Sequence, residues 1–181
     1  MRIKTGDLIP ETPIATDSGS FTAKSLFEGD GRNGVLISVS SPLDTPANAQ
    51  KAKEVAQHVK NFVKKDHFFA FVAQEPLDSM KAWSKAQGID GKILMISDKD
   101  GSFVKDMGLE ENPDWGVICW SPGRVKGVNL GSDATAEEIV ERTKRLWMVG
   151  LHTANSNSEF SGLSSEYVPL SYFGLGNDPS D

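Results

Sequence analysis

Two short apolar runs with an amphipathic stretch between them constrain the fold of this chain more than any other feature. The first, "GVLISV" (34–39), is rich in β-branched residues and is bounded by glycine and Ser-Pro signals. The second is "HFFAFVAQ" (67–74). Between them Ala52, Val55, Ala56, Val59, Phe62 and Val63 recur at spacings of three and four, which gives a helix one apolar face. A strand, a helix and a second strand joined in this way predict a parallel pair with a right-handed crossover. Thr45 is suited to cap the helix and Pro46 to take its first position, so the helix is expected to start there.

The same alternation continues. "PLDSMKAWSKAQG" (76–88) predicts a second helix with Gly88 as its C-cap, "KILMISD" a third strand, and "DGSFVKDMGL" a turn with a short helix. "DWGVICWSPGRVKGVNL" predicts a hairpin, Trp115 to Trp120 and Arg124 to Leu130 around the turn "SPG". "DATAEEIVERTKRLWMV" predicts a last helix capped by Asp133 or Thr135, acidic at its start and basic near its end. The expected class is α/β, a mixed sheet with helices on both faces. From periodicity alone a thioredoxin-like arrangement is one of several candidates.

Composition narrows the function classes. At 181 residues, one domain or one domain with an extension is expected. The longest apolar runs are about six residues, against the roughly 20 that a membrane-spanning helix needs. "MRIKTGDLIPETPIATD" places Gly, Asp and Pro where a secretory signal would be apolar, so a cytoplasmic protein is expected. Cys119 is the single cysteine, which rules out an intramolecular disulfide and a zinc site built from several cysteines. The net charge of −6 is unevenly spread, since every Lys and Arg lies at or before Arg145. Residues 1–148 carry 19 basic against 21 acidic side chains, and residues 149–181 carry none against four. With no basic stripe, nucleic-acid binding is set aside.

The division is therefore a domain over 1–148 and an acidic, aromatic-containing extension over 149–181. Its sequence from Leu151, "LHTANSNSEFSGLSSEYVPLSYFGLGNDPSD", is rich in Ser, Asn and Gly and shows no helical period. Composition points to a flexible extension. Phe160, Tyr167, Tyr172 and Phe173 point instead to a segment that packs on its own domain or on a protein partner, because aromatic anchors are a common means of docking.

Several of these pieces together resemble the peroxiredoxins, in the branch with peroxiredoxin five and the fungal allergen-type proteins. The resemblance runs from about Ile3 to Leu146. It rests on "IKTGDLIPETPI", on "GVLISV" before a Thr-Pro loop, and on "AWSKAQGIDGKILMISDKDGSFVKDMGL", with Trp83, Asp98, Phe103 and Lys105 at the positions of the branch's Trp and its Asp-x-x-x-x-Phe-x-Lys segment. It implies a thioredoxin-like fold of the peroxiredoxin type with an added N-terminal hairpin. It also implies a chemistry that needs a cysteine thiolate at a helix N-terminus, a threonine three residues before it, a shielding proline and an arginine from a distant strand.

That site is degenerate here. Aligning the Thr-Pro pair puts Thr45 on the threonine and Asn48 on the cysteine, with Pro42 one residue closer than the motif Pro-x-x-x-Thr-x-x-Cys expects. A gapless alignment puts Ala47 at the cysteine instead. The arginine position falls on Asp114, followed by Trp115. Neither Asn48 nor Ala47 can reduce a peroxide, and Asp114 reverses the charge. Cys119 lies inside an apolar strand, where a small buried side chain is the favoured interpretation.

Other constellations add little. Asp44, Asn48 and Asp114 would offer oxygen ligands if they converged, but solvated or capping roles are favoured, and neither a metal nor a cofactor is expected. His58, His67 and His152 lack metal-ligand spacing, and no Gly-x-Gly-x-x-Gly, Walker or Gly-x-Ser-x-Gly motif is present. The expected function is a non-catalytic interaction or structural subunit of a larger assembly. Its partner would bind through the extension, and the resemblance to peroxiredoxins also implies a homodimer through the face around the active-site loop. The alternative is an oxidoreductase, either a weak thiol peroxidase using Cys119 or new chemistry in the old pocket at Asp44, Thr45, Asn48 and Asp114.

Overall fold

A computed structural model describes residues 1–28, 32–60 and 67–156. Its centre is β3 (Asn33–Ser38), which lies parallel to β4 (His67–Ala73), with Asn33 opposite His67 and Ser38 opposite Val72. β5 (Leu94–Ser97) continues the parallel set on the far side of β4. An antiparallel hairpin, β6 (Trp115–Trp120) and β7 (Arg124–Leu130), closes the β3 side, with the ends the sequence predicts. A second hairpin, β1 (Pro13–Thr16) and β2 (Gly19–Thr22), joins β5 antiparallel. The resulting seven-stranded mixed sheet has the order β2-β1-β5-β4-β3-β6-β7.

Alternation along the strands divides the core in two. Val35 and Ile37 of β3 point with Phe69 and Phe71 of β4 toward α1 (Pro46–Val59), α2 (Leu77–Ala86) and α4 (Ala136–Ser156). Leu36, Ala70, Val72 and Val117 point the other way, toward α3 (Ser102–Asp106), a 3₁₀ turn at Lys24–Phe27 and the N-terminal residues Ile3 and Ile9. Helices therefore cover both faces, and unequally.

The caps are local. Thr45 is the N-cap of α1, its Oγ1 accepting from Asn48 N, with Pro46 at the first position. Gly88 (φ 67°) follows the cap residue Gln87 of α2, and the bonds Gly88 N to Lys85 O and Ile89 N to Ser84 O form a Schellman motif that tucks Ile89 into the core. The buried carboxylate of Asp98 accepts from Phe103 N at 3.0 Å and Val104 N at 2.9 Å, so it serves as the anchor of α3. Trp83 packs edge-on against Phe71 with ring centroids 5.8 Å apart. Of the two cap candidates for α4, Thr135 is the one used, its Oγ1 accepting from Glu138 N, while Asp133 ends a 3₁₀ turn.

α4 differs from expectation in length. It continues past Val149 to Ser156, through residues whose sequence shows no helical period. No proline or glycine lies between Leu151 and Ser156 to stop it, and the polar residues there cost a helix only a few tenths of a kcal/mol each, about 0.7 at most. Phe160, Tyr167, Tyr172 and Phe173 lie outside the described residues. Among the described residues no helix is long and apolar enough to cross a membrane.

β6 and α4 meet at Gly116, where a Cβ would stand 2.4 Å from Ile139 Cδ1, and both residues are buried. Gly116→Ala should overpack this contact and cost about 1–3 kcal/mol, read as a lower urea midpoint at unchanged slope.

Candidate functional site

The loop between β3 and α1 lies at the carboxyl end of the parallel strands, the position where open α/β sheets place their ligands. Val39 N extends the pairing to Val72 O, and the chain then turns through residues 40–44 into α1. A turn this close to the core carries carbonyl groups that need donors. One side chain supplies them. Asn48, only 2% exposed, donates from Nδ2 to Ser40 O at 2.8 Å and to Pro42 O and Leu43 O at 3.1 Å each. Its Oδ1 accepts from Ser40 Oγ at 3.2 Å, and its own N–H goes to the cap oxygen of Thr45. Two amide hydrogens serve three carbonyls, so one is shared. A thiol has a single weak donor and could not replace this set.

The neighbouring position is an ion pair. Lys51, one turn beyond Asn48 in α1, reaches Asp114 Oδ1 at 2.9 Å and Ser38 O at 3.1 Å. Ser38 Oγ accepts from Trp115 N at 2.8 Å, and Asp114 O accepts from Gly131 N. Asp114 at the start of β6 thus meets a cation from the helix. With side chains 17% and 53% exposed, the pair contributes at most about 1 kcal/mol. Lys51 is the residue that sequence reasoning missed. Its signal was the spacing of three from Asn48, which puts both on one face of the helix.

The remaining candidates do not assemble into a centre. Asp44, Pro42 and Ala47 are exposed, whereas Asn48 is buried with its oxygen on Ser40 and Asp114 is held by Lys51. Among the described residues no group of three or more His, Cys, Asp or Glu side chains is placed to hold a metal. Cys119 faces the second core from β6, fully buried, and burial pushes its thiol well above the ordinary range. On the far side of the loop a cavity of about 280 Å³ is lined by residues that include Ser38–Ser41, Gln74, Leu109, Asn112 and Trp115. Glu110 is its one titratable lining residue, and the hydroxyls of the lining residues Ser40 and Ser41 donate elsewhere, to Asn48 Oδ1 and Gln74 O.

Removing the carboxamide should open the loop. Asn48→Ala leaves three carbonyls without their donor and should cost about 2–3 kcal/mol in chemical denaturation. Asn48→Asp turns the donor into an acceptor facing those carbonyls, so its folded pKa lies above the unfolded value of about 3.9. Its ionisation penalty is absent below that value and grows as pH rises through the folded pKa. The deficit of Asn48→Asp against the parent should therefore be larger at about pH 7 than at about pH 3.

No protein-family model matches the sequence, and no curated protein matches it. Solved structures do. Peroxiredoxin 5 of Alvinella pompejana superposes with a TM-score of 0.67 at 23% identity, covering 79% of this chain and 99% of that one. Reduced Prx3 of Vibrio vulnificus gives 0.65 at 25% identity, over 78% of this chain and 99% of that one. A peroxiredoxin-like protein of Aquifex aeolicus gives 0.62 at 20% identity, over 81% and 89%. The seven-stranded mixed sheet and its helices thus match the peroxiredoxin form of the thioredoxin-like fold.

Proposed function

We propose that this chain is a peroxiredoxin-like domain without thiol peroxidase chemistry that serves as an interaction or structural subunit of a cytoplasmic assembly. The observation that carries the proposal is the bonding of Asn48. At the position aligned with a peroxidatic cysteine stands a buried carboxamide whose donor and acceptor are both committed to its own loop. The ion pair of Lys51 with Asp114 supports the same reading, since this cation of α1, one turn beyond Asn48, is engaged by a carboxylate. The fully buried Cys119, its thiol disfavoured as thiolate, counts against a peroxidase that uses it. In this proposal residues 1–148 are the domain and residues 149–181 the extension. Phe160, Tyr167, Tyr172 and Phe173 anchor a protein partner, and pairing of two copies through the loop face is a second assembly open to it.

Two measurements test the proposal. Purified protein with a thiol reductant should consume peroxide no faster than the reagent blank, and Asn48→Cys alone should not change that. Turnover by the parent that Cys119→Ser abolishes would replace the proposal with the peroxidase alternative. Isolated from native material, the full chain should retain a stoichiometric protein partner that a chain ending at Ser156 loses. Isolation of both forms alone and monomeric would count heavily against the subunit role.

A further inference from the structure

β7 is an outer strand of the sheet, and an outer strand offers its unpaired backbone groups to any other strand. Which groups face outward follows from the hydrogen bonds. Trp115 N–H points toward β3, because it donates to Ser38 Oγ, and Trp120 O points toward the turn into β7, because it accepts from Gly123 N. By alternation Gly116 and Ile118 face β7, so their partners Asn129 and Gly127 face back toward β6. Val128, between them, turns its backbone to the outside.

That outward carbonyl is taken. Arg142 reaches over from α4 and donates from Nη1 to Val128 O at 2.8 Å and to Asn129 Oδ1 at 3.1 Å. The guanidinium lies so close to the strand that a Cβ on residue 127 would stand 2.8 Å from Arg142 Nε, and residue 127 is glycine. Upstream, the N-terminal segment takes both outward groups of Val125, with Val125 N donating to Asp7 O and Gly6 N donating to Val125 O. Between the two positions the register shift at Ile118/Cys119 breaks the regular edge.

We propose that Arg142 closes the β7 edge against antiparallel pairing with β7 of a second copy of this chain. A second copy is the occupant this edge always meets, because each copy presents the same strand and a two-fold axis pairs it with itself. The test is solution mass by sedimentation at high protein concentration. Arg142→Ala should raise the weight-average mass toward about twice that of the parent under the same conditions. Adding Val128→Pro, which removes an outward N–H and no ladder bond within the sheet, should return it to the parent value. A folded Arg142→Ala with parental mass overturns the proposal, and so does association that Val128→Pro leaves intact. If Arg142→Ala does not fold, Arg142→Met, which keeps the aliphatic stem without the donors, is read the same way. Loss of folding in both makes Arg142 a determinant of the fold and ends the proposal.

Discussion

Three carbonyl oxygens in the turn between β3 and α1 converge on the amide nitrogen of Asn48, and the geometry around the candidate site depends on that convergence. A chain leaving a buried strand for a helix must satisfy its backbone within a few residues, without the ladder on one side or the helix on the other. Here the helix itself solves the problem. Asn48 sits in the first turn of α1, its N–H bound to the cap and its side chain folded back over the loop, so the start of the helix and the path of the loop are fixed together. One turn later Lys51 holds Ser38 O and Asp114, and Ser38 Oγ holds Trp115 N, so the same few residues tie β3, α1 and β6 at one end of the sheet.

The elements were legible where physics is local. The strand-helix-strand order, the hairpin of β6 and β7, the caps at Thr45 and Thr135 and the stop at Gly88 each follow from short-range patterns, and each stands where the sequence puts it or within a residue or two. The end of α4 was less legible, because polar residues without proline or glycine neither favour nor forbid a helix. The N-terminal hairpin carried little local signal and came only from the family resemblance. Its strands are four residues each, and β2 is exposed throughout.

The residues of the candidate site were legible in the sequence, and their bonding was not. Asn48 and Asp114 can be read from two positions. That Asn48 bridges its own loop, and that Lys51 answers Asp114 across 63 residues of sequence, are facts of tertiary placement with no local pattern. The inward direction of Cys119 likewise depends on strand register, set by the pairing of Gly34 with Cys119 and of Cys119 with Val125.

These contacts are coupled, and that bears on what chemistry the fold can host at this site. Two features lower the pKa of a thiol at a helix start: free amide donors at the N-terminus and a nearby cation. In this chain the amide of residue 48 is already bound to Thr45 Oγ1, and the ammonium of Lys51 is already bound to Asp114 and Ser38 O. A thiol introduced at 48 would lie against carbonyl oxygens, with that amide and that ammonium already engaged. Both would have to be released at once, and each release breaks a contact that now fixes the junction of strand, loop and helix.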